Sequence, residues 1–279
     1  MMLIFLELAA CHRRITVPDE SNPFSSDPDD YAVFIDQLVK RGEEVFSLDG
    51  FFSVKASKED VTKRAKGVFI FKHPGYIYLE FLSPFGTAKV VAGVDDRKIV
   101  ILYPGEKEYF EGDATAENME RIFGFPFRPE EIFTVFSGRF IDFNQFETVS
   151  FQTDTLRNAI RGDTKSKNGL IEASFWMKPD TGWLFTGFLT ERDHHRRELR
   201  VQYGDFKRIA SYPLPTRISI DRIESPWRVI FKGKDIRING IEDTERFTLK
   251  PPPDGIRIPL ERLDPKDPLF FGEEVHEES

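Results

Sequence analysis

YIYLEFLSPFGTAKVVAGVDDRKIVILYPGEKEYFEGDATAENMERIFGFPFRPEEIFTVFSG, residues 76–138, is the stretch on which the fold turns. In its first half apolar residues recur at every second position, at Ile77, Leu79 and Phe81 and again at Ile99 and Ile101, the period of a half-buried strand. Val94-Asp95-Asp96 and Pro104-Gly105 supply tight turns, so this half predicts an antiparallel meander and not a βαβ unit. In its second half Asp113 or Thr115 can cap a helix that runs through Met119, Ile122 and Phe123 to Gly124. A second helix begins at Pro129, with Glu130 and Glu131 at the positive end of its dipole, carries Ile132, Phe133 and Phe136, and stops at Gly138. Two short helices inserted in a meander predict a lid over one mouth of a curved sheet, with Ile122, Phe123, Ile132, Phe133 and Phe136 as its apolar face.

Between the first two strands stands Ser83-Pro84-Phe85-Gly86. Tight turns are normally polar because their backbone meets water. A ring at such a tip either folds back onto the core or reaches into something apolar outside the protein. The second reading makes Phe85 a membrane-contact residue.

Working outward, Tyr31, Phe34, Ile35, Leu38 and Val39 form one stripe of an amphipathic helix, started by Asp29 or Asp30 and ended by Gly42. Strands are expected near 48–57, 66–73, 76–82, 87–94, 97–103 and 107–110, and after the helices near 146–153, 169–178, 183–192, 196–203, 206–211, 215–223, 226–233 and 236–239. Val68 to Phe71 are consecutively apolar, which predicts a hairpin covered on both faces. Asp180-Thr181-Gly182 marks a hairpin turn. No linker-like break interrupts the middle of the chain. The expectation is one mainly β domain over 31–263, a curved antiparallel sheet with the two short helices over an apolar cavity. Its predicted lining is Phe69, Phe71, Ile77, Leu79, Phe81, Val90, Ile99, Ile101, Phe175 and Phe188.

Composition narrows the function. Of 279 residues 31 % are charged and 40 % hydrophobic, and the net charge of −8 argues against a nucleic-acid partner and against electrostatic attachment to anionic membranes. Phenylalanine is over-represented, 28 against 7 Tyr and 3 Trp, which fits either a ring-rich core or a ring-lined cavity for aliphatic chains. There is no glycine-rich phosphate loop and no zinc or serine-hydrolase motif. His194 and His195 are neighbours among arginines, a poor metal site, so no metal, cofactor or enzymatic activity is expected.

At the N-terminus MMLIFLELAA precedes the single cysteine, and Leu8-Ala9-Ala10-Cys11 fits the bacterial lipoprotein processing box. Residues 1–11 then read as a truncated lipoprotein signal segment and Cys11 as the lipidation site. His12 follows where Asp would favour inner-membrane retention, so the expected address is the outer membrane, lipid-anchored and facing the periplasm. Residues 12–30 read as a flexible tether, and 264–279 as an acidic tail.

The order of features in 76–138 resembles the LolA/LolB lipoprotein-localisation family, and within it the outer-membrane receptor LolB. The resemblance rests on Ser83-Pro84-Phe85-Gly86 ending an extended segment, Tyr109 before the acidic helix start at Asp113, Gly124-Phe125-Pro126, and a helix ending at Gly138. VQYGDFKRIASYPLPTRISI adds the family's tyrosine-bearing strand before a Leu-Pro turn. The C-terminal part is longer than the family's, and Phe133 and Phe136 stand where it carries tryptophan. The resemblance implies an open, unclosed antiparallel β-barrel of about 11 strands with short helices as a lid over an apolar cavity for acyl chains of lipoproteins, delivery of that cargo to the outer membrane through an exposed apolar turn, and a periplasmic LolA-like carrier as partner. Two other readings stay open on the same scaffold: binding of another lipid or hydrophobic ligand, and a structural protein with a closed core.

Overall fold

The structure is a computed structural model that describes residues 35–36, 38–40, 42–59, 61–95, 97–147, 149–191, 197–223 and 228–263. A helical segment, α1, at 35–44 leads into six antiparallel strands: β1 (Ser47–Lys58), β2 (Val61–Lys72), β3 (Tyr76–Leu82), β4 (Ala88–Val94), β5 (Lys98–Leu102) and β6 (Glu108–Asp113). Helices α2 (Ala116–Phe123) and α3 (Pro129–Phe136) follow. A second meander comprises β7 (Ser150–Asp154), β8 (Ala159–Lys165), β9 (Ile171–Met177), β10 (Leu184–Glu191), β11 (Arg197–Ile209), β12 (Tyr212–Arg222) and β13 (Arg228–Ile238). The last strand is β14 (Ile256–Pro259).

All fourteen strands belong to one sheet, in the order β14-β6-β5-β4-β3-β2-β1-β13-β12-β11-β10-β9-β8-β7. The two meanders are joined by β1 against β13, with Phe52 opposite Gly233 and Val54 opposite Phe231. The edges, β7 and β14, do not pair with each other, so the barrel is open, as the resemblance implies. β14 is the exception to antiparallel pairing: it runs parallel to β6.

The strand count exceeds expectation for local reasons. β8 carries three charged residues in seven and β14 is four residues long, so neither shows a clear apolar period. Conversely, the expected separate strands 206–211 and 236–239 are continuations of β11 and β13. Asp205 and Asp235 take φ 52° and 51°: the ladder to β12 runs on past Asp205 without a change of register, and a bulge at Asp235 shifts the register against β1 before the ladder continues. The Leu214-Pro215 pair is not a turn. The turn is at Ala210-Ser211, and both Pro213 and Pro215 lie in the stretch of β12 beyond the reach of β13, where a missing N–H costs no ladder bond.

Helix ends follow the chemistry closely. Thr115, not Asp113, caps α2, its side chain accepting from the Asn118 amide, and Gly124 closes it at φ 78°. α3 starts at Pro129, and Glu131 Oε2 accepts the Arg128 amide at 2.8 Å. α1 does not stop at Gly42: positions 42–44 are still helical, and Gly42 instead gives close access to the Arg139 side chain.

Inward-facing side chains of both meanders and of the helices form one core, in which Phe69, Phe133, Phe175, Ile77, Ile99, Ile101, Met119 and Ile122 are fully buried. The apolar run Val68 to Phe71 is indeed covered on both faces. Phe69 and Phe71 point inward, while Ile70 packs outward with Ile241, Phe247, Tyr76 and Tyr78. The outer cover is the extra C-terminal chain. It crosses the back of β2 to β4, where Lys72 Nζ donates to the Ile241 carbonyl at 3.2 Å and Gly93 leaves room for Phe247 and Leu249. It then adds β14 to β6 and seats Leu260 against Gly112.

Candidate functional site: two voids beneath the helices

Two voids lie between the sheet's inner face and the helices. The smaller, about 80 Å³, is walled by Phe52, Val54, Phe71, Ile77, Leu79 and Phe81 of β1 to β3, by Ile220, Val229 and Phe231 of β12 and β13, and by Phe123, Phe125, Phe127, Ile132 and Phe136 from the helical region. Its walls are rings in mutual contact. Phe231 stacks on Phe52 at 5.6 Å and meets Phe69 and Phe136 edge-on at 5.4 and 4.7 Å. At ~30 Å³ per water it has room for only two or three molecules, and its walls offer no polar partner.

The larger void, about 650 Å³, lies on the other side of Phe127, which borders both. Its apolar wall includes Leu38 and Val45, Phe140, Ile141, Phe143 and Phe146 of the chain after α3, and Ile171, Leu189, Leu199 and Val201 of β9 to β11. The exposed side chains Glu43, Glu130, Asn144 and Gln145 ring its mouth. This volume falls within the roughly 300–1,000 Å³ of small-molecule sites.

Unlike the small void, the large one holds buried polar groups. Arg139 follows Gly138, which sits at φ 81°, and is only 9 % exposed. Its amide donates to the Thr134 carbonyl at 3.1 Å, its Nε donates to Ser137 Oγ at 3.1 Å, and its guanidinium lies 5.8 Å from the Phe133 ring centre. Tyr212 Oη donates to the Ser137 carbonyl at 2.9 Å and ties this corner to β12. His73, from the β2–β3 turn, also lines the void and meets the Phe133 ring edge-on at 5.7 Å. Burial, then the nearby Arg139 charge, holds its imidazole below the ordinary 6.5, so it is held towards the neutral form. Burial likewise pushes the Tyr203 phenol well up. Its hydroxyl has no partner of hydrogen-bond geometry, although the Phe140 amide and Arg139 both act on it.

Of the ten residues singled out as lining, Phe71, Ile77, Leu79 and Phe81 border the small void. Phe69 lies directly behind it, its ring 5.0 Å from that of Phe71. Ile99, Ile101 and Phe175 are fully buried in the core, Phe175 against Phe143 at 5.3 Å, and Val90 packs half-buried opposite Phe81. Phe188 is a correction. It faces the back of the sheet, 5.5 Å from Trp176 and beneath Arg200, because its neighbours Gly187 and Leu189 take the inner positions. Among the lid residues Phe123, Ile132 and Phe136 border the small void, and Ile122 and Phe133 are packed out of reach of solvent. Sequence reasoning passed over Arg139, His73, Phe127, Phe52 and Phe231. Arg139 did leave a signal, the one basic residue inside FSGRFIDF.

Phe85 is 93 % exposed. Its turn is closed without it: Ser83 Oγ accepts from the Phe85 and Thr87 amides at 3.2 Å each, the Gly86 amide donates to the Ser83 carbonyl at 2.9 Å, and Gly86 takes φ 81°. At the same edge of the sheet the β1–β2 turn exposes Val61, and Lys55 and Arg64 stand directly opposite each other on the outer face. Cys11, the tether 12–30, His194, His195 and the tail 264–279 lie outside the described residues.

The sequence matches no family model and no curated protein. Solved structures do share the fold. A LolA superfamily protein from Nitrosomonas europaea aligns with TM-score 0.53 at 10 % identity, over 77 % of this chain and 97 % of its own. A DUF1329 family protein from Desulfovibrio piger gives 0.57 at 11 % identity, over 78 % and 96 %. A domain described as an outer membrane lipoprotein-sorting protein, from Vibrio parahaemolyticus, gives 0.53 at 8 % identity, over 77 % and 94 %. At these identities the likeness is one of fold: a LolA-type open barrel.

Proposed function

We propose that this protein is an envelope lipoprotein, anchored in the outer membrane through Cys11, that holds acyl chains of lipoproteins on the concave face of its sheet and passes them to the membrane. The observation that carries the reading is the large, apolar-walled void under α3. A closed core fills such space, whereas a cradle for hydrocarbon keeps it. An acyl chain gains on the order of 0.8 kcal/mol for each CH₂ removed from water, so such a site binds without polar contacts. The LolA-type fold of the neighbours supports the reading, as does Phe85, whose exposed ring suits contact with the bilayer when cargo is released from a LolA-like carrier. The work is binding and transfer, with no covalent step. Titration of the purified protein with Nile red, and its displacement by a diacylated lipopeptide, tests it. Submicromolar displacement is expected, and a protein that binds neither probe nor lipopeptide has a closed core.

A further inference from the structure

We propose that the larger void takes a single-chain amphiphile with an anionic head, its carboxylate or phosphate oxygens paired to Arg139 and its chain lying along Val45, Phe140, Ile171, Leu189 and Val201. This rests on the reading that the concave face holds acyl chains, and it adds the head group that the site selects.

The inference starts from a buried charge without an ion-pair partner. Arg139 is nine-tenths buried, yet the one acceptor its side chain meets is the neutral hydroxyl of Ser137, and no carboxylate among the described residues comes within ion-pair distance of it, Asp142 acting on it only through space. The acids around the void are engaged elsewhere or stand in water. Glu131 takes the Arg128 amide and guanidinium, Glu191 pairs with Arg128 at 3.0 Å, and Asp142 accepts from the Asn144 amide and Gln145 Nε2. Glu43 and Glu130 are exposed at the mouth. An arginine cannot escape this cost by giving up its proton, because its intrinsic pKa is too high. The geometry also keeps the group where it is: the Gly138 turn, the Thr134 carbonyl, the Phe133 ring and the close approach of Gly42 leave it little freedom.

What such a site lacks is supplied by a ligand. A guanidinium presents parallel N–H groups that match two oxygens of a carboxylate or phosphate, and the pairing is strongest where water is excluded. The surrounding wall is hydrocarbon and aromatic, so the rest of the ligand must be apolar. A neutral lipid would satisfy the wall and leave Arg139 unpaired. A free anion would satisfy Arg139 and leave the wall wet. Only an amphiphile satisfies both.

Competition against Nile red with palmitate, palmitoyl lysophosphatidate and hexadecanol separates the possibilities. The wild-type protein is expected to prefer at least one anionic ligand over the alcohol by about tenfold or more, and the winning anion tells a fatty acid from a phospholipid-derived head. Arg139→Gln should bring that preference to within about twofold while leaving hexadecanol affinity unchanged, and Arg139→Lys should restore part of it. A second measurement needs no variant: NMR titration of carboxyl-labelled palmitate bound to wild-type protein should show the carboxyl ionised to lower pH than in micelles. Equal affinity of acid, phosphate and alcohol for the wild type, or a bound carboxyl that titrates higher than in micelles, overturns the head-group assignment and leaves acyl-chain binding standing. Failure of all three ligands to displace the probe overturns both.

Discussion

Two voids share one roof and one partition, yet they are built on opposite principles. The small one is lined by rings that touch each other, with nothing polar in its walls and too little room for a chain. The large one is looser, reaches solvent past Glu43 and Gln145, and contains a guanidinium and an imidazole. Packing explains the first, because rings from β1 to β3, β13 and α3 meet each other and leave a residual gap. Packing does not explain the second. A void of that size costs dispersion contacts, and a buried unpaired charge costs more. On the proposed reading, stability resides on one side of Phe127 and ligand binding on the other.

That division is easiest to break at the ring cluster. Phe231→Ala removes contacts with Phe52, Phe69 and Phe136 and should cost about 3–5 kcal/mol in denaturant unfolding. If a mild loss were accompanied by abolished ligand binding, the small void would have to be the site. Phe127→Ala removes the partition. We expect a loss of about 3 kcal/mol, in the range of buried Phe truncations, and tighter binding of longer chains as the voids merge. Unchanged chain-length preference would mean that ligands never reach the partition.

Titration sharpens the contrast further, since only the large void has a group to protonate. The folded-state pKa of His73 is lowered, so below the ordinary 6.5 the unfolded chain takes up a proton that the folded protein resists. The stability linked to His73 is therefore fully present above 6.5 and lost as pH falls through the lower folded value. Melting temperature should decline over that window, and His73→Phe should flatten the decline, as should Arg139→Gln by removing the second cause of the shift. The smallest effect belongs to a site remote from both voids. Phe85→Glu should change stability by less than about 0.5 kcal/mol, the ordinary range for an exposed substitution, while weakening attachment to vesicles and cargo release. A large fall in unfolding free energy would show that the Phe85 ring packs against its own turn in solution.

Much of this architecture was legible because the interactions that specify it are local. Alternation along Tyr76 to Leu82 and Lys98 to Leu102, the cap at Thr115, and the glycine ends of the helices each express a choice made within a few residues. Where alternation was interrupted by an aspartate bulge, or where a strand was as short and polar as β8 or β14, the local signal failed and the neighbouring strand decided. The one inner-face residue misplaced on a recognised strand, Phe188, fell to a register ambiguity that no local rule resolves.

The chain alone thus specified a meander of alternating strands, two capped helices and an apolar ring at the Ser83–Gly86 turn, because periods, caps and turns are short-range properties. Only the folded molecule decided that β1 pairs with β13, that the extra C-terminal chain covers Ile70 from behind, and that Arg139 lines a void without an ion-pair partner. Those facts depend on residues far apart in sequence meeting in space. A buried charge becomes conspicuous only when the carboxylates around it are seen to lie beyond ion-pair distance.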